Sequence, residues 1–415
     1  MLSAILSLFA WGCRDVTGGA TVARRLWGLA KVVVIVLALL AVGGAIGAAS
    51  GVIPIAASSG HWPITEWFLK FSMSRSVATH SIGIEAPPLD DPRLVLMGAG
   101  HYETACRSCH GSPALHHPRV AAAMTPHPPY LPPRVGTWDP EELFYIVKHG
   151  VKFTGMPAWP AKHRDDEIWA MTAFLLEFPK LDPDGYRQLV FGDTLANGIE
   201  EEGTPDEDAP MRAMLGPDSV PRNVLDNCRR CHGRDGRGRG IGAFPKLAGQ
   251  QSEYLVQALE AYAAGDRPSG VMEPIAAALE PDTIAALAEH FSGLDPSGRT
   301  EIRDTETRSR TDDALERGRL IAKDGLPRRR VPACSDCHGS SGESQNSAYP
   351  SLDGQFAPYL VNQLKLFQQG RRGGSKHAHL MDHVAPHLTS EQMHDVAAYY
   401  ESLPITGNTA PTTPE

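Results

Sequence analysis

The 415-residue sequence predicts an all-α protein, with three small helical domains in tandem preceded by one transmembrane helix. Three observations carry the prediction. The pattern Cys-x-x-Cys-His occurs three times, and apolar residues around each copy recur at the three-to-four-residue spacing of a helix. Two of the copies sit in a longer unit that repeats at an offset of 105 residues. Residues 32–50 are an uncharged, mostly apolar run long enough to cross a bilayer as a helix. The length leaves room for roughly two to four domains, each with its own core. A net charge of −9 argues against a nucleic-acid partner, which needs a basic surface to neutralise phosphates.

The three motifs are Cys106-Arg107-Ser108-Cys109-His110, Cys228-Arg229-Arg230-Cys231-His232 and Cys334-Ser335-Asp336-Cys337-His338. They hold six of the seven cysteines, where this composition yields on the order of 0.005 matches by chance. The spacing has a chemical reason. Two thiols two residues apart can add to the two vinyl groups of one haem, and the adjacent histidine is then held beneath the iron. Zinc would need converging pairs without a histidine behind each, and these pairs lie more than 100 residues apart. A redox dithiol would sit between a strand and a helix, and a structural disulfide needs no histidine. The expected cofactors are three covalently bound haem c groups, on Cys106 and Cys109, Cys228 and Cys231, and Cys334 and Cys337, with His110, His232 and His338 as proximal ligands.

Each motif is followed some 40 residues later by a methionine able to serve as sixth ligand, the usual choice in electron-transfer cytochromes. Met156 follows His110 by 46 residues, Met272 follows His232 by 40, and Met381 follows His338 by 43. Core packing is the commoner role of a lone methionine, but recurrence just before a helical pattern favours ligation. Around Met381 the choice stays open, because His377, His379 and His383 surround it.

In chain order, residues 1–31 form an N-terminal segment placed in the cytoplasm and 32–55 the membrane anchor. Arg14, Arg24, Arg25 and Lys31 precede the apolar run, while the next charge beyond it is Glu66, so the positive-inside rule puts everything after about residue 55 outside. A cleaved signal peptide is the alternative; its apolar region spans about 7–15 residues, fewer than here. Ala48, Ala49 and Ser50 leave cleavage open. Residues 2–13 are too few to span, and Cys13 after Gly12 is a faint lipidation signal. Residues 56–80 read as an interfacial segment in which Trp62, Trp67, Phe68 and Phe71 face either the membrane surface or a partner subunit. The first haem domain covers 81–182: Gly98, Tyr102 and Cys106 line a helix into the motif, and Ile168, Met171, Leu175 and Phe178 line a closing helix. Between them, the proline-rich run at 126–133 excludes regular helix and central strand. Residues 183–221 and 297–313 read as exposed linkers, with a packed connection as the alternative, 222–296 and 314–405 as the second and third haem domains, and 406–415 as a tail.

The second and third domains share Pro245-x-Leu247-x-Gly249-Gln250 with Tyr254-Leu255, and Pro350-x-Leu352-x-Gly354-Gln355 with Tyr359-Leu360. The same offset carries Leu259, Tyr262, Gly265 and Arg267 onto Leu364, Phe367, Gly370 and Arg372. It grows to 109 at the methionines, an insertion of four residues before Met381; closing helices follow through Ile284, Leu287, Phe291 and Leu294, and through Met393, Val396, Tyr400 and Leu403. Each haem segment resembles the class I cytochrome c fold, and residues 222–405 resemble the dihaem cytochrome c4 family. The resemblance implies that Cys228, Cys231, His232 and Met272 hold one haem and Cys334, Cys337, His338 and Met381 another.

The expected function is electron transfer by a membrane-anchored triheme cytochrome c, not catalysis on a substrate, because histidine–methionine ligation leaves no open iron position. The expected location is the periplasmic face of a bacterial inner membrane. A respiratory relay from a cytochrome bc complex or dehydrogenase towards a terminal oxidase leads. An electron-accepting subunit of a membrane-bound alcohol or sugar-acid dehydrogenase is the alternative, and a dihaem peroxidase would require a displaceable sixth ligand. Arg229, Arg230, Arg234, Arg237 and Arg239, and Arg328, Arg329 and Arg330, read either as solvated or propionate-paired charge or as a docking face for an acidic redox partner.

Overall fold

The computed structural model describes residues 19–52, 54–115, 117–192, 224–297, 308–338 and 346–405. Cys13, most of both expected linkers and the tail from 406 lie outside them. Among the described residues every regular element is helical, and extended pairing amounts to two isolated bridges, Ser112 with Leu115 and Leu326 with Val331. The chain divides into two compact units, residues 1–60 and 61–415.

The first unit is built on helix α1 (Gly19–Ala49). The most apolar 18-residue stretch within residues 24–49 has a mean hydropathy of 2.7 and is nowhere buried. At about 1.5 Å per residue, residues 24–49 extend roughly 39 Å, more than a bilayer's hydrocarbon core of about 30 Å. The helix starts earlier than the expected 32, because Arg24, Arg25 and Lys31 are good helix formers and the turn propagates through them. It stops earlier than 55, because Gly51 adopts a left-handed φ of 69° and Pro54 cannot continue the ladder.

The second unit begins with α2 (Pro63–His80). Ile64, Trp67, Phe68 and Phe71 recur at helical spacing on one face, and each is more than half exposed. The helix is anchored at its other end, where Val77 is buried and His80 stacks on Tyr145 at 5.5 Å.

The first haem domain contains α3 (Pro92–Ala105), α4 (Arg107–His110), α5 (Arg119–Ala122), α6 (Pro140–His149), α7 (Asp165–Glu177) and α8 (Pro183–Phe191). Asp91 caps α3 by accepting the Arg93 amide at 2.9 Å, and a capping box between Asp139 and Glu142 starts α6. Helices α3 and α7 cross at Gly98, where a Cβ would lie 2.5 Å from Phe174 Cβ and overlap the Ala170 carbonyl. Tyr102, Phe174, Phe178 and Tyr186 are fully buried and pack ring to ring, so this domain fills its core with aromatics although the chain as a whole has few. Helix α8 corrects the exposed-linker reading of residues 183–191 in favour of the packed connection: Tyr186 and Val190 belong to this core, and the Tyr186 hydroxyl donates to Glu103 at 2.5 Å. Two fully buried residues, Tyr186 and Val190 one turn apart, suffice to dock a segment whose composition reads as exposed.

The second domain contains α9 (Val224–His232), α10 (Ser252–Ala263), α11 (Met272–Ala277) and α12 (Pro281–Ser292). The third contains α13 (Arg308–Asp324), α14 (Ser335–His338), α15 (Ala357–Gln368), α16 (Ala378–Asp382) and α17 (Ser390–Ser402). Helices α13 and α17 repeat the close crossing of the first domain, with Gly318 against the Asp395 backbone and Arg317 paired to the Asp395 carboxylate at 2.7 Å.

The repeated residues of the second and third domains face one another. Arg267 donates to the Tyr359 hydroxyl at 3.3 Å, and Arg372 donates to the Tyr254 hydroxyl at 3.2 Å. Each guanidinium lies over a ring of its own domain, Arg267 on Tyr262 at 4.4 Å and Arg372 on Phe367 at 5.1 Å. The first domain touches both others: Arg230 donates to the Gly100 carbonyl at 3.3 Å, and Asn362 donates to Asp166 at 3.0 Å. The three domains therefore form one packed block.

Candidate haem sites

Each Cys-x-x-Cys-His segment ends in a helical turn, so both cysteines and the histidine fall on one side of it. The His110 and His338 amides close that turn onto the Cys106 and Cys334 carbonyls, both at 2.9 Å. The histidines share a further relationship. His110 Nδ1 donates to the Pro129 carbonyl at 2.9 Å, His232 Nδ1 to the Pro245 carbonyl at 3.0 Å, and His338 Nδ1 to the Pro350 carbonyl at 3.0 Å. A carbonyl can only accept, so the proton must sit on Nδ1 and the lone pair on Nε2. That is the tautomer and ring orientation an iron ligand needs. Burial lowers the pKa of all three rings and keeps them neutral.

The thiols fit haem attachment better than the alternatives. Burial pushes the Cys106 thiol up to about 12 and the Cys228 and Cys334 thiols up to about 11, against the free thiolate that dithiol exchange requires. None of the six described cysteines is paired in a disulfide, and no group of three or more metal-binding side chains converges among the described residues.

The three methionines occupy short turns and are each half-buried. Met156 follows α6 in a turn closed by its own amide on Thr154 Oγ1 at 3.1 Å. Met272 opens α11, with its amide donating to Ser269 Oγ at 3.0 Å. Met381 lies on α16. Of the competing histidines, His379 and His383 are exposed, and His377 packs edge-on against Tyr349 at 5.2 Å. Tyr349 in turn lies 6.2 Å from His338, as Phe244 lies 6.2 Å from His232.

Family comparisons agree with this geometry. Residues 222–296 and 316–404 match the family described as cytochrome c, and residues 94–175 match cytochrome c oxidase, cbb3-type, subunit III. The chain is 34% identical to cytochrome c-552 of Acidithiobacillus ferridurans, over 44% of this chain and 76% of that protein. It is 32% identical to a thiosulfate dehydrogenase electron acceptor of Stutzerimonas stutzeri, over 42% of this chain and 78% of that one. Cytochrome c4 of Azotobacter vinelandii is 30% identical, over 42% of this chain and 84% of its own. The chain is a c-type cytochrome.

A c-type cytochrome carries covalently bound haem c, and the neutral imidazoles and buried thiols described above fit that group. In this c-type cytochrome the arginines near the second motif are not one docking face, which corrects that reading for two of them. Arg230 is buried against the first domain, where it also meets Thr104, and Arg239 donates to the Leu189 and Val190 carbonyls at 2.9 and 3.0 Å. Arg237 donates to the Asp295 carbonyl at 3.0 Å. Arg328, Arg329 and Arg330 stay exposed beside the third motif.

Sequence reasoning missed the residues that join the domains. Gln250, Gln355, Arg267 and Arg372 were visible as repeated positions but not as contacts. Glu167 carried no signal at all: one acidic residue among three at the start of α7 looks like a helix-dipole preference.

Proposed function

We propose that this c-type cytochrome is a membrane-anchored electron relay with three haem c groups, carrying electrons outside the cytoplasmic membrane towards a terminal oxidase. The thrice-repeated bond from histidine Nδ1 to a proline carbonyl supports it most directly, because it prepares the same imidazole in each domain. The assigned residues are Cys106, Cys109, His110 and Met156; Cys228, Cys231, His232 and Met272; and Cys334, Cys337, His338 and Met381. Bound haem would supply a one-electron ferric–ferrous couple. The histidines hold their ring orientation through their Nδ1 bonds, and the histidine Nε2 atoms and methionine sulfurs would together hold the haem iron, a ligand pair that would favour a high potential. Packing of the three domains into one block keeps donor and acceptor distances fixed while electrons pass. Helix α1 would hold the block near membrane partners and raise their effective concentration, with the exposed aromatic face of α2 lying at the bilayer surface.

Stopped-flow mixing of the reduced, detergent-solubilised chain with membranes containing a terminal oxidase tests this reading. Oxidation faster than that of a free haem-domain mixture supports it; no oxidation by any oxidase-containing membrane rejects it.

A second reading is an electron-accepting partner of a periplasmic dehydrogenase, supported by two relatives named thiosulfate dehydrogenase electron acceptor. Thiosulfate-dependent reduction of the chain by a co-purifying dehydrogenase would favour it. The two readings place the same relay at opposite ends of one electron path.

A further inference from the structure

Glu167 is 5% exposed, and both of its oxygens are engaged. Oε1 accepts from Ser269 Oγ at 2.6 Å and pairs with Arg164 at 2.9 Å. Oε2 accepts from the Gly270 amide at 2.7 Å and from Trp159 Nε1 at 3.2 Å. Ser269 and Gly270 belong to the second domain; Arg164, Glu167 and Trp159 belong to the first. Ser269 Oγ then accepts from the amides of Val271 at 3.3 Å and Met272 at 3.0 Å. An unbroken hydrogen-bond path thus runs from a first-domain carboxylate to the backbone of Met272.

Neighbouring contacts hold the same segment. Arg164 donates to the Pro268 carbonyl at 2.7 Å, Val271 packs on the first domain's core, and a Cβ at Gly270 would overlap the Trp159 indole. Residues 268–271 are therefore seated, one after another, on the first domain, immediately before Met272. Trp159 also stands three residues after Met156, so one carboxylate touches both the loop carrying Met156 and the loop carrying Met272.

We propose that Glu167 is a positioning residue for the sixth iron ligand of the second haem, so that docking of the first domain completes the Met272 site. The inference rests on the assignment of Met272 as a ligand. Its physical basis is the softness of the iron–thioether bond, which a mobile loop loses readily and a fixed one keeps. An aliphatic replacement at Glu167 leaves the Ser269 hydroxyl and the Gly270 amide buried without their acceptor, while Arg164 keeps Asp166 at 2.8 Å, and the segment must move to recover partners.

The test uses the full-length holoprotein in detergent, with two readouts: the red charge-transfer band of ferric haem bound by methionine sulfur, and a potentiometric titration resolving the haem couples. Glu167→Ala is expected to lower the band by up to about one third, the share of one haem in three, and to move one couple to lower potential. Ser269→Ala, a smaller change that keeps the fold if Glu167→Ala does not, is expected to shift the same couple less far. Glu177→Gln, a half-buried position at the far end of the same helix paired with Lys180, should alter neither. A full band and an unchanged titration in haem-replete Glu167→Ala or Ser269→Ala overturn the proposal, as does a loss spread evenly over all three couples. Met272→Ala separates the two ideas. If it removes one third of the band while Glu167→Ala removes none, the ligand assignment stands and the positioning role falls; if it removes none, both fall.

Discussion

Gln250 and Gln355 each grip the backbone of the other's domain. The Gln250 side chain donates to the Ser351 carbonyl at 2.9 Å and accepts the Ser351 amide at 2.8 Å. The Gln355 side chain donates to the Lys246 carbonyl and accepts the Lys246 amide, both at 3.0 Å. Both glutamines are buried, and both partner residues obey the 105-residue offset, so the second and third domains meet about a local two-fold relationship.

Removing either amide strands a buried N–H and C=O. Gln250→Ala and Gln355→Ala are each expected to cost about 1–3 kcal/mol. Denaturant unfolding of the holoprotein measures this, and near-equal losses for the two variants are the signature of the symmetry. A loss at one site alone would contradict it.

His101 sets an acid limb on stability. Its ring is buried between the domains, 4.7 Å from Trp159, and Nδ1 has no hydrogen-bond partner among the described residues. Burial, helped by the nearby Arg230 charge, lowers its pKa from 6.5 to about 4. Between those values the unfolded chain binds a proton that the folded chain refuses, so stability falls as pH drops from about 6.5 to about 4 and is flat above. The full contribution is on the order of 3 kcal/mol. His101→Phe should flatten that limb in thermal melts across the window; an unchanged slope would assign it elsewhere.

Gly98 has no room for a methyl group. Gly→Ala within a helix ordinarily gains about 1 kcal/mol, but here the Cβ meets the Ala170 carbonyl and Phe174. Overpacking should win, with Gly98→Ala destabilising by about 1–3 kcal/mol. Gly136→Ala, with nothing within 4 Å, is the control and should be near neutral.

Haem content is expected to follow the cysteine pairs. Cys106→Ala with Cys109→Ala, or the corresponding change at either other pair, should lower the haem-to-chain ratio by one third in an alkaline pyridine assay. A ratio that does not change for one pair would remove that site from the assignment.

Arg328, Arg329 and Arg330 are exposed on the third domain and, among the described residues, lack the interdomain contacts that occupy Arg230 and Arg239. Reversing their charge should slow association with an acidic redox partner at low salt, and the difference should vanish at high ionic strength. Stopped-flow rates against salt measure it.

The haem motifs could be read directly from residue order because their chemistry is local: cysteines and histidine lie within one helical turn, whose geometry hardly depends on the rest of the chain. The helical class, the 105-residue repeat and the apolar N-terminal helix were readable for the same reason, since periodicity and punctuation act over a few turns. Residues 183–191 misled because polar composition does not reveal that Tyr186 and Val190 have a core to enter. Arg230 and Arg239 misled in the opposite way, since a guanidinium next to a motif is solvated or buried according to what packs over it. Glu167 and Ser269 stand 102 residues apart, and no local rule joins them. Their bond exists because the domains, each legible alone, close on one another, and the carboxylate that Arg164 and Trp159 meet within its own domain is satisfied only where that closure adds Ser269 and Gly270 to its oxygens.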